Sequence, residues 1–300
     1  MRSVEKRVTL QLSSGYGGKL QVKTSAPAGG RNNPAYAEEN CAFLARGRDW
    51  RIRAAIQVKG PHFFVDPGDV DGDFAALRGD DARHLTVVRR VSPGEAISLS
   101  DGAGRCWQAR VVEVTPTEVQ LRLEAQLHVG RPRPRLCVVH ALPKGRKLDD
   151  VVQRLVEIGV DEIVPVHSAR SDVRLPPARA AKAVMRWRAV AREAAKQSRR
   201  AWLPEIAEVG HWAEAFGAAS SGVCCWEEAT RPLSDLWPLG NADEIAGQIV
   251  LAIGPEGGLT PDEVTATGLP HASLGPTILR TDTAALVAAS IVLHRLGRLG

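Results

Sequence analysis

Apolar residues in the second half of the chain recur in two alternating patterns. Residues 136–142 form a largely apolar run of the kind found in a buried strand. A helical period follows and stops at Gly159, a residue type that commonly ends helices; its apolar positions are Leu148, Val151, Val152, Leu155, Val156 and Ile158. Residues 161–166 predict the next strand, and residues 177–200 predict a long helix with Val184, Trp187, Val190, Ala191 and Ala194 on one side. The order strand, helix, strand, helix indicates an α/β unit.

Two further apolar runs, residues 222–226 and 248–253, predict additional strands, and residues 281–296 predict an apolar closing helix. We therefore expect residues 135–300 to form one α/β domain around a mostly parallel sheet. Small ligands bind such sheets in the crevice beyond the carboxyl ends of the strands. The loops that follow the strands are the segments in which a site is expected.

Between residues 62 and 127 the pattern changes to short β-rich runs separated by turn residues. Strands are predicted at 97–99, 109–114 and 118–123, and hairpin turns at 92–94 and 101–104. We therefore expect residues 56–130 to form a small β-barrel. The alternating arginines and prolines of residues 131–135 mark the domain boundary, because proline cannot continue a ladder or a helix.

The first 55 residues show no sustained apolar period and contain clusters of glycine, serine and asparagine. We expect residues 1–55 to be a disordered extension. Alternatively, the working protein begins near Val58, since that start would give a compact opening sequence and the next methionine after Met1 is Met185. The sequence alone leaves both interpretations open.

The composition indicates which kind of partner and which cellular compartment to expect. The chain has 39 lysines and arginines against 34 acidic residues, a net charge of +5 and a pI near 9.1, which favours an anionic partner. Its five cysteines show no CxxC spacing, so neither a disulfide framework nor a metal site is predicted, and a reducing cytoplasm is the expected location. No stretch reaches the roughly 18 apolar residues that span a bilayer, and the N-terminus lacks the apolar run of a secretory signal. We expect no membrane association.

The most informative segment joins a buried strand to a glycine-rich turn and a helix start. It runs from Gly254 to Glu263 and reads GPEGGLTPDE. Thr260 suits the N-cap, Pro261 the first helical position, and Glu263 the third helical position, which completes a capping box. Three glycines around Glu256 indicate that the backbone bends sharply and approaches something closely. The alternative is an ordinary strand-to-helix turn; the segment is neither a GxGxxG fingerprint nor a P-loop, which disfavours nucleotide binding.

A second loop, residues 274–280, also leads into a helix. It carries a single arginine, Arg280, among small and apolar residues. An anion or a base carbonyl could dock on this guanidinium and on the helix N-terminus. Alternatively, Arg280 only pairs with a neighbouring acid near the start of the helix.

Basic and polar residues follow the first two strands of the α/β domain and close its long helix. The candidates for RNA binding are Lys144, Lys147, Arg170, Gln197 and Arg200. Phosphate contacts need several flexible cations, and an extruded base needs neutral donors such as Gln197. The other cations of the long helix are instead typical of a solvated face. The eight histidines show no metal spacing, and the Cys224-Cys225 pair lies in an apolar run typical of core packing.

Taken in order, these segments resemble the bacterial family that methylates N3 of a uridine in 16S ribosomal RNA, a branch of the SPOUT methyltransferase superfamily. The matching segments are residues 61–66, 142–145, 157–160, 186–187, 193–198, 254–258 and 274–281. Each piece is short, whereas their ordered combination is specific. Thr277 replaces a common arginine of the family and Arg199 a common glycine, so the phosphate contacts are expected to differ there.

The resemblance implies a PUA-like RNA-binding barrel followed by a domain tied into a trefoil knot, one of the rare exceptions to unknotted chains. It also implies a homodimer that takes S-adenosylmethionine as methyl donor and acts on 16S rRNA of the small ribosomal subunit. The residues expected to line the donor pocket, largely through their backbone, are Gly254, Gly257, Leu274, Gly275 and Leu279. Glu256 and Arg280 would face the transferring methyl group or the target base.

These expectations define a reaction and two alternatives. The expected reaction is methylation of uridine N3, in which Arg280 stabilises negative charge on the uracil carbonyls, and Glu256 either accepts the proton or caps amides of its own turn. One alternative is an RNA 2'-O-methyltransferase of the same superfamily. The other is a non-catalytic protein that binds rRNA during ribosome assembly.

Overall fold

The computed structural model describes residues 9–11, 60–216, 221–236 and 247–299. They fold into two compact units. The first contains the chain up to Arg131 together with Arg199–Trp202, and the second contains Pro132–Ser198 and the chain from Leu203 onward.

The segment Arg199–Trp202 was expected in the α/β domain, but it belongs to the first unit. The Trp202 indole N–H donates a hydrogen bond to the Val129 carbonyl at 2.9 Å. The Ser100 hydroxyl donates to the Ala201 carbonyl, also at 2.9 Å. These hydrogen bonds attach the segment to the first unit, although its neighbours in the sequence belong to the second.

The first unit is built on a mixed seven-stranded sheet with the order β2-β5-β6-β7-β4-β3, and β1 pairs with β7. Its strands are β1 (Thr9–Gln11), β2 (His62–Phe64), β3 (Val70–Asp71), β4 (Phe74–Arg78), β5 (Ala96–Ser100), β6 (Arg105–Val114) and β7 (Glu118–His128). Helix α1 (Gly79–Arg83) and a π-helical turn (His84–Val88) connect β4 to β5. The alternating apolar positions of the strands meet in a core that includes Ile97, Leu99 and Leu121, and Leu85 of the π-helical turn packs into the same core.

Two details of this unit differ from the prediction. Residues 92–94 do not make a hairpin, because they lead from the π-helical turn into β5. A hairpin turn that was not predicted joins β6 to β7 at residues 115–117. Residues 9–11 pair in parallel with β7, so the expected disorder does not hold for them. The rest of the expected N-terminal extension lies outside the described residues.

The second unit contains the predicted parallel sheet, with the order β10-β9-β8-β13-β12-β14, and β11 pairs with β9. Its strands are β8 (Arg135–Ala141), β9 (Glu162–His167), β10 (Glu205–Ile206), β11 (Gly210–His211), β12 (Gly222–Cys225), β13 (Gln248–Ile253) and β14 (His271–Ala272). All pairings among these strands are parallel. Its helices are α2 (Lys147–Ile158), α3 (Pro177–Gln197), α4 (Pro261–Ala266) and α5 (Thr281–Arg295).

The helical period predicted for α2 is confirmed, since five of its six apolar residues are buried, Ile158 is half-buried, and Gly159 ends the helix with a φ of +108°. Helix α2 packs against α3 and α5. The Asp149 carboxylate accepts hydrogen bonds from Arg186 and from the Trp187 indole, which joins α2 to α3. None of the described helices is long and apolar enough to cross a membrane.

Candidate active site

All strands of the second sheet run in one direction, so their carboxyl ends open at one edge. We refer to the five loops at this edge as the loop edge; they are residues 142–146 after β8, 168–176 after β9, 226–232 after β12, 254–260 after β13 and 273–280 after β14. Both glycine loops singled out in the sequence belong to it. This edge is the position at which parallel sheets bind small ligands.

The loop after β13 is fixed by a capping box and by a contact to its neighbour. The Thr260 hydroxyl accepts a hydrogen bond from the Glu263 N–H, and the Glu263 carboxylate accepts one from the Thr260 N–H at 3.0 Å. The predicted capping box is therefore confirmed. The same carboxylate also accepts from the Ala169 N–H at 2.6 Å, which ties the loop after β9 to this one.

Close packing explains the glycines of this loop. A Cβ atom on Gly254 would lie 2.8 Å from Cγ of Leu259, and one on Gly257 would lie 3.1 Å from the Arg170 carbonyl oxygen. Gly258 has a left-handed φ of +72°. A side chain at Gly254 would collide with Leu259 of the same loop, and one at Gly257 would crowd the loop after β9, so close packing accounts for glycine here.

The loop after β14 contacts the first glycine loop directly. The Thr281 hydroxyl, at the start of α5, donates a hydrogen bond to the Gly254 carbonyl at 2.5 Å. Gly275 has a φ of +131°, and a Cβ atom on it would meet no atom within 4 Å, so its backbone borders open space. Leu274 and Leu279 are half-buried in the same loop, whereas Arg280 is exposed at the N-cap of α5.

The Glu256 carboxylate is held by two neighbouring groups. The Lys144 backbone N–H lies 3.3 Å from both of its oxygens, and the Lys147 ammonium lies 2.9 Å from Oε1. Burial raises the pKa of Glu256, but the hydrogen bonds from Lys147 and from the backbone N–H groups of Glu256 and Lys144 outweigh it, so that its pKa is lowered. The carboxylate is therefore ionised near neutral pH and joins the loops after β13 and β8.

The predicted RNA-binding residues divide into two groups. Lys144, Lys147 and Arg170 all lie at the loop edge or on the first turn of α2; Lys144 pairs with Asp172 at 2.7 Å, and the Arg170 guanidinium donates to the Gly257 carbonyl at 3.3 Å. Gln197 is exposed at the end of α3. Arg200 is only 8% exposed and belongs to the first unit. The structure thus brings three of the five residues together.

Comparison with known proteins shows the same two domains. Residues 131–293 match the sequence model of the RNA methyltransferase domain, and residues 77–124 match that of the RNA methyltransferase PUA domain. Ribosomal RNA small subunit methyltransferase E from Mycobacterium bovis is 36% identical over 240 residues, which cover 77% of this chain and 90% of the relative. The chain belongs to the ribosomal RNA small subunit methyltransferase E family. A second member of this methyltransferase E family, from Bacillus subtilis, is 28% identical over 73% of this chain and 90% of its own length.

Solved structures extend the likeness to the fold. Methyltransferase E from Neisseria gonorrhoeae, bound to S-adenosyl methionine, is 28% identical with a TM-score of 0.69, over 78% of this chain and 97% of that one. A methyltransferase from Legionella pneumophila in complex with the same molecule is 26% identical with a TM-score of 0.70, over 79% and 98% of the two chains. The predicted PUA domain and the methyltransferase domain with its parallel sheet are therefore confirmed.

In this member of the methyltransferase E family, three buried polar atoms near the loop edge have no hydrogen-bond partner among the described residues. They are Nε2 of His140, at the end of β8, Nε1 of Trp226, after β12, and Oδ1 of Asp282, in the first turn of α5. Buried polar atoms are nearly always paired, so unpaired ones indicate a missing ligand or water. Sequence patterns gave these three residues no functional role; their position directly at strand and helix ends is the signal that marks them.

The cysteines of the same sheet are packing residues, as the sequence predicted. Cys224 and Cys225 are buried in β12. Burial raises the pKa of the Cys224 thiol to about 12. A thiol that stays protonated at neutral pH is a poor nucleophile, so β12 contributes support to the site and no covalent chemistry.

Proposed function

We propose that this protein transfers the methyl group of S-adenosylmethionine to N3 of a uridine in 16S rRNA of the small ribosomal subunit. The observation that carries the proposal is the bond from Thr281 to the Gly254 carbonyl, because it joins the two glycine loops into one pocket at the carboxyl edge of a parallel sheet. Family membership and the two solved neighbours that hold the methyl donor support the same pocket. A substrate in ribosomal RNA makes the cytoplasm the expected place of action.

The residues at this edge fit the methyl donor. Open space beside Gly275 provides room for a flat adenosine. The backbone of Leu274, Leu279, Gly254 and Gly257 would line the donor in this proposal. The unpaired polar atoms of Trp226, His140 and Asp282 offer donors and acceptors to a ligand that carries amino, hydroxyl and carboxylate groups. The bound donor supplies an electrophilic methyl group on a sulfonium.

Arg280 is available for the target base. It is exposed at the N-cap of α5, and within the described part of the chain its side chain makes no ion pair or hydrogen bond. When the new N3–C bond forms and the S–C bond breaks, N3 must lose its proton, and negative charge develops on the uracil carbonyls. A guanidinium and a helix N-terminus stabilise such charge.

Glu256 acts as a positioning residue in this proposal. A carboxylate with a lowered pKa and with bonds to Lys144 and Lys147 is a weak proton acceptor. Its contacts instead hold the loop after β8 against the glycine loop. The proton of N3 can then leave to water once Arg280 has stabilised the anion.

The decisive experiment is methylation of small subunits from a strain that lacks this gene, with labelled S-adenosylmethionine, followed by digestion and mass analysis of the nucleosides. The expected product is N3-methyluridine. A methyl group on a ribose oxygen would instead establish the 2'-O-methyltransferase. No methyl transfer, combined with no saturable donor binding, would establish a binding protein.

Two variants test the residue roles. Arg280→Gln should lower kcat by about 100- to 1000-fold with the donor Kd unchanged. Glu256→Gln should weaken donor binding and retain turnover at saturation; abolished turnover with intact donor binding would make Glu256 the base.

A homodimer is part of this proposal. Helix α5 buries Ala285, Ala288, Ala289, Val292 and Leu293, yet its outer face also carries the half-buried Leu286, Val287 and Ile291. A helix that is apolar on all sides is normally covered on all sides. Light scattering should give twice the chain mass, and replacement of Ile291 by Glu should give a monomer; a wild-type monomer would refute the dimer.

A further inference from the structure

An exposed patch on the first unit has no role in the site described above. Helix α1 and the π-helical turn bury Ala82 and Leu85 completely. Their outer side carries Val87 and Val88, which are 61% and 68% exposed. Valine is a poor helix former because its branched side chain loses rotamer freedom in a helix, and two exposed valines side by side add an apolar surface without packing.

Three arginines surround these valines. Arg83 lies one helical turn before Val87, and Arg89 and Arg90 follow Val88; all three are exposed. Within the described residues, none of the three side chains makes an ion pair or a hydrogen bond. The sequence has no acidic residue between Asp81 and Glu95, so the positive charge is not neutralised locally. We refer to Arg83, Val87, Val88, Arg89 and Arg90 as the helix-end patch.

Arg90 has a backbone conformation that glycine adopts more easily than arginine. The turn closes with bonds from the Arg89 N–H to the His84 carbonyl and from the Val91 N–H to the Leu85 carbonyl, both at 3.1 Å. Arg90 then has a φ of +52°, the left-handed conformation that glycine usually provides after a helix. A side chain is strained there, so folding alone does not account for an arginine.

We propose that the helix-end patch binds the phosphodiester backbone of the rRNA substrate, with Val87 and Val88 packed against sugar or base faces. This inference rests on the proposed function. Arginine forks match phosphate oxygens, and arginine contacts to phosphates fix the register of a protein on a nucleic acid. Three exposed arginines with no acidic residue beside them in the sequence from 82 to 94 match a polyanion, which favours RNA over a protein partner.

The test measures binding of the full-length protein to a 16S rRNA fragment at several salt concentrations. The variants are Arg89→Gln with Arg90→Gly, and the charge-matched control is Arg179→Gln with Lys182→Gln, two exposed cations near the start of α3. Each lost phosphate contact lowers the slope of log K against log salt by about 0.7–0.9, so the patch variant should lose about 1.4–1.8. If the two affinities converge at 1 M salt, the variant binds about 25- to 60-fold more weakly at 0.1 M.

The stability of the variant separates binding from folding. Glycine relieves the left-handed strain at position 90, so the Tm of the patch variant should equal or exceed that of the wild type. Val87→Ser with Val88→Ser should weaken binding with no change in the salt slope. An unchanged affinity and slope in the arginine variant would overturn the proposal, as would a loss equal to that of the control.

Two further outcomes distinguish this inference from the proposed function. If the patch variant methylates and binds RNA like the wild type, the inference fails and the proposed function stands. If the wild-type protein neither binds nor methylates the RNA, both fail. A variant that changes the oligomeric mass and leaves RNA affinity intact would make the patch a contact between copies, which also overturns the inference.

Discussion

Replacement of Thr281 by Val tests whether the two glycine loops depend on each other. Valine keeps the shape of threonine but removes the hydroxyl that donates to the Gly254 carbonyl at 2.5 Å. A neutral hydrogen bond contributes about 0.5–1.5 kcal/mol, and a stranded carbonyl costs about 1–3 kcal/mol. Because Gly254 is half-buried and water can partly replace the donor, the lower part of this range applies, about 1–2 kcal/mol. That energy corresponds to about a 5- to 30-fold weaker binding of S-adenosylmethionine.

The assay is calorimetric titration of the donor into the wild type and into the Thr281→Val and Thr281→Ser variants. Serine retains the hydroxyl, so Thr281→Ser should bind within about twofold of the wild type, because it loses only a methyl group at a site that stays hydrogen-bonded. The Tm of each variant shows whether the loss is confined to the loops or spreads through the fold. Equal donor affinity in the wild type and Thr281→Val would refute the reasoning, since it would show that the loops hold their positions without this bond.

Two predictions concern stability. Asp161 is buried and forms a two-pronged ion pair with Arg298, at 2.8 and 3.0 Å, so Asp161→Asn should lower the free energy of unfolding by about 3–5 kcal/mol in a urea titration; a loss under 1 kcal/mol would contradict the role of this pair. Burial lowers the pKa of His140 below its ordinary value near 6.5, despite its bond to the Ala141 carbonyl. The unfolded chain then takes up this proton more readily than the folded chain, so stability is lost as pH falls below 6.5, by at most about 1.4 kcal/mol per pH unit. His140→Gln should lack this component when both proteins are unfolded in urea at pH 7.5 and 5.5. Identical pH slopes in the two proteins would refute it.

Local patterns were sufficient for the elements that carry the site. The apolar run before Gly254, the capping residues Thr260 and Glu263, and the period of α2 all act over a few neighbouring positions. Chemistry of this kind is readable in a single sequence, since a capping box needs only its own four residues. The capping box predicted in this way fixes the conformation of the loop after β13.

Contacts between distant segments were not readable in this way. The capping carboxylate of Glu263 also holds Ala169, 94 positions away, and the indole of Trp202 attaches residues 199–202 to the first unit. Neither contact leaves a periodic signal, because each depends on which elements become neighbours in space. The turn at residues 92–94 was misplaced for a related reason: proline and glycine mark a turn but do not specify whether a strand or a helix precedes it.

The strand order explains why the site exists at all. Lys147 and Glu256 are 109 positions apart, yet they meet because β8 and β13 are adjacent in the sheet. Thr281 reaches Gly254 because the chain passes through the edge strand β14 before it returns as α5. In a parallel sheet, the loops that follow the strands all begin at the same edge. Residues from the loops after β8, β9, β13 and β14 therefore converge, although these loops are far apart in sequence. A variant that disturbs the β8-β13 pairing should therefore remove donor binding even when each loop keeps its own residues.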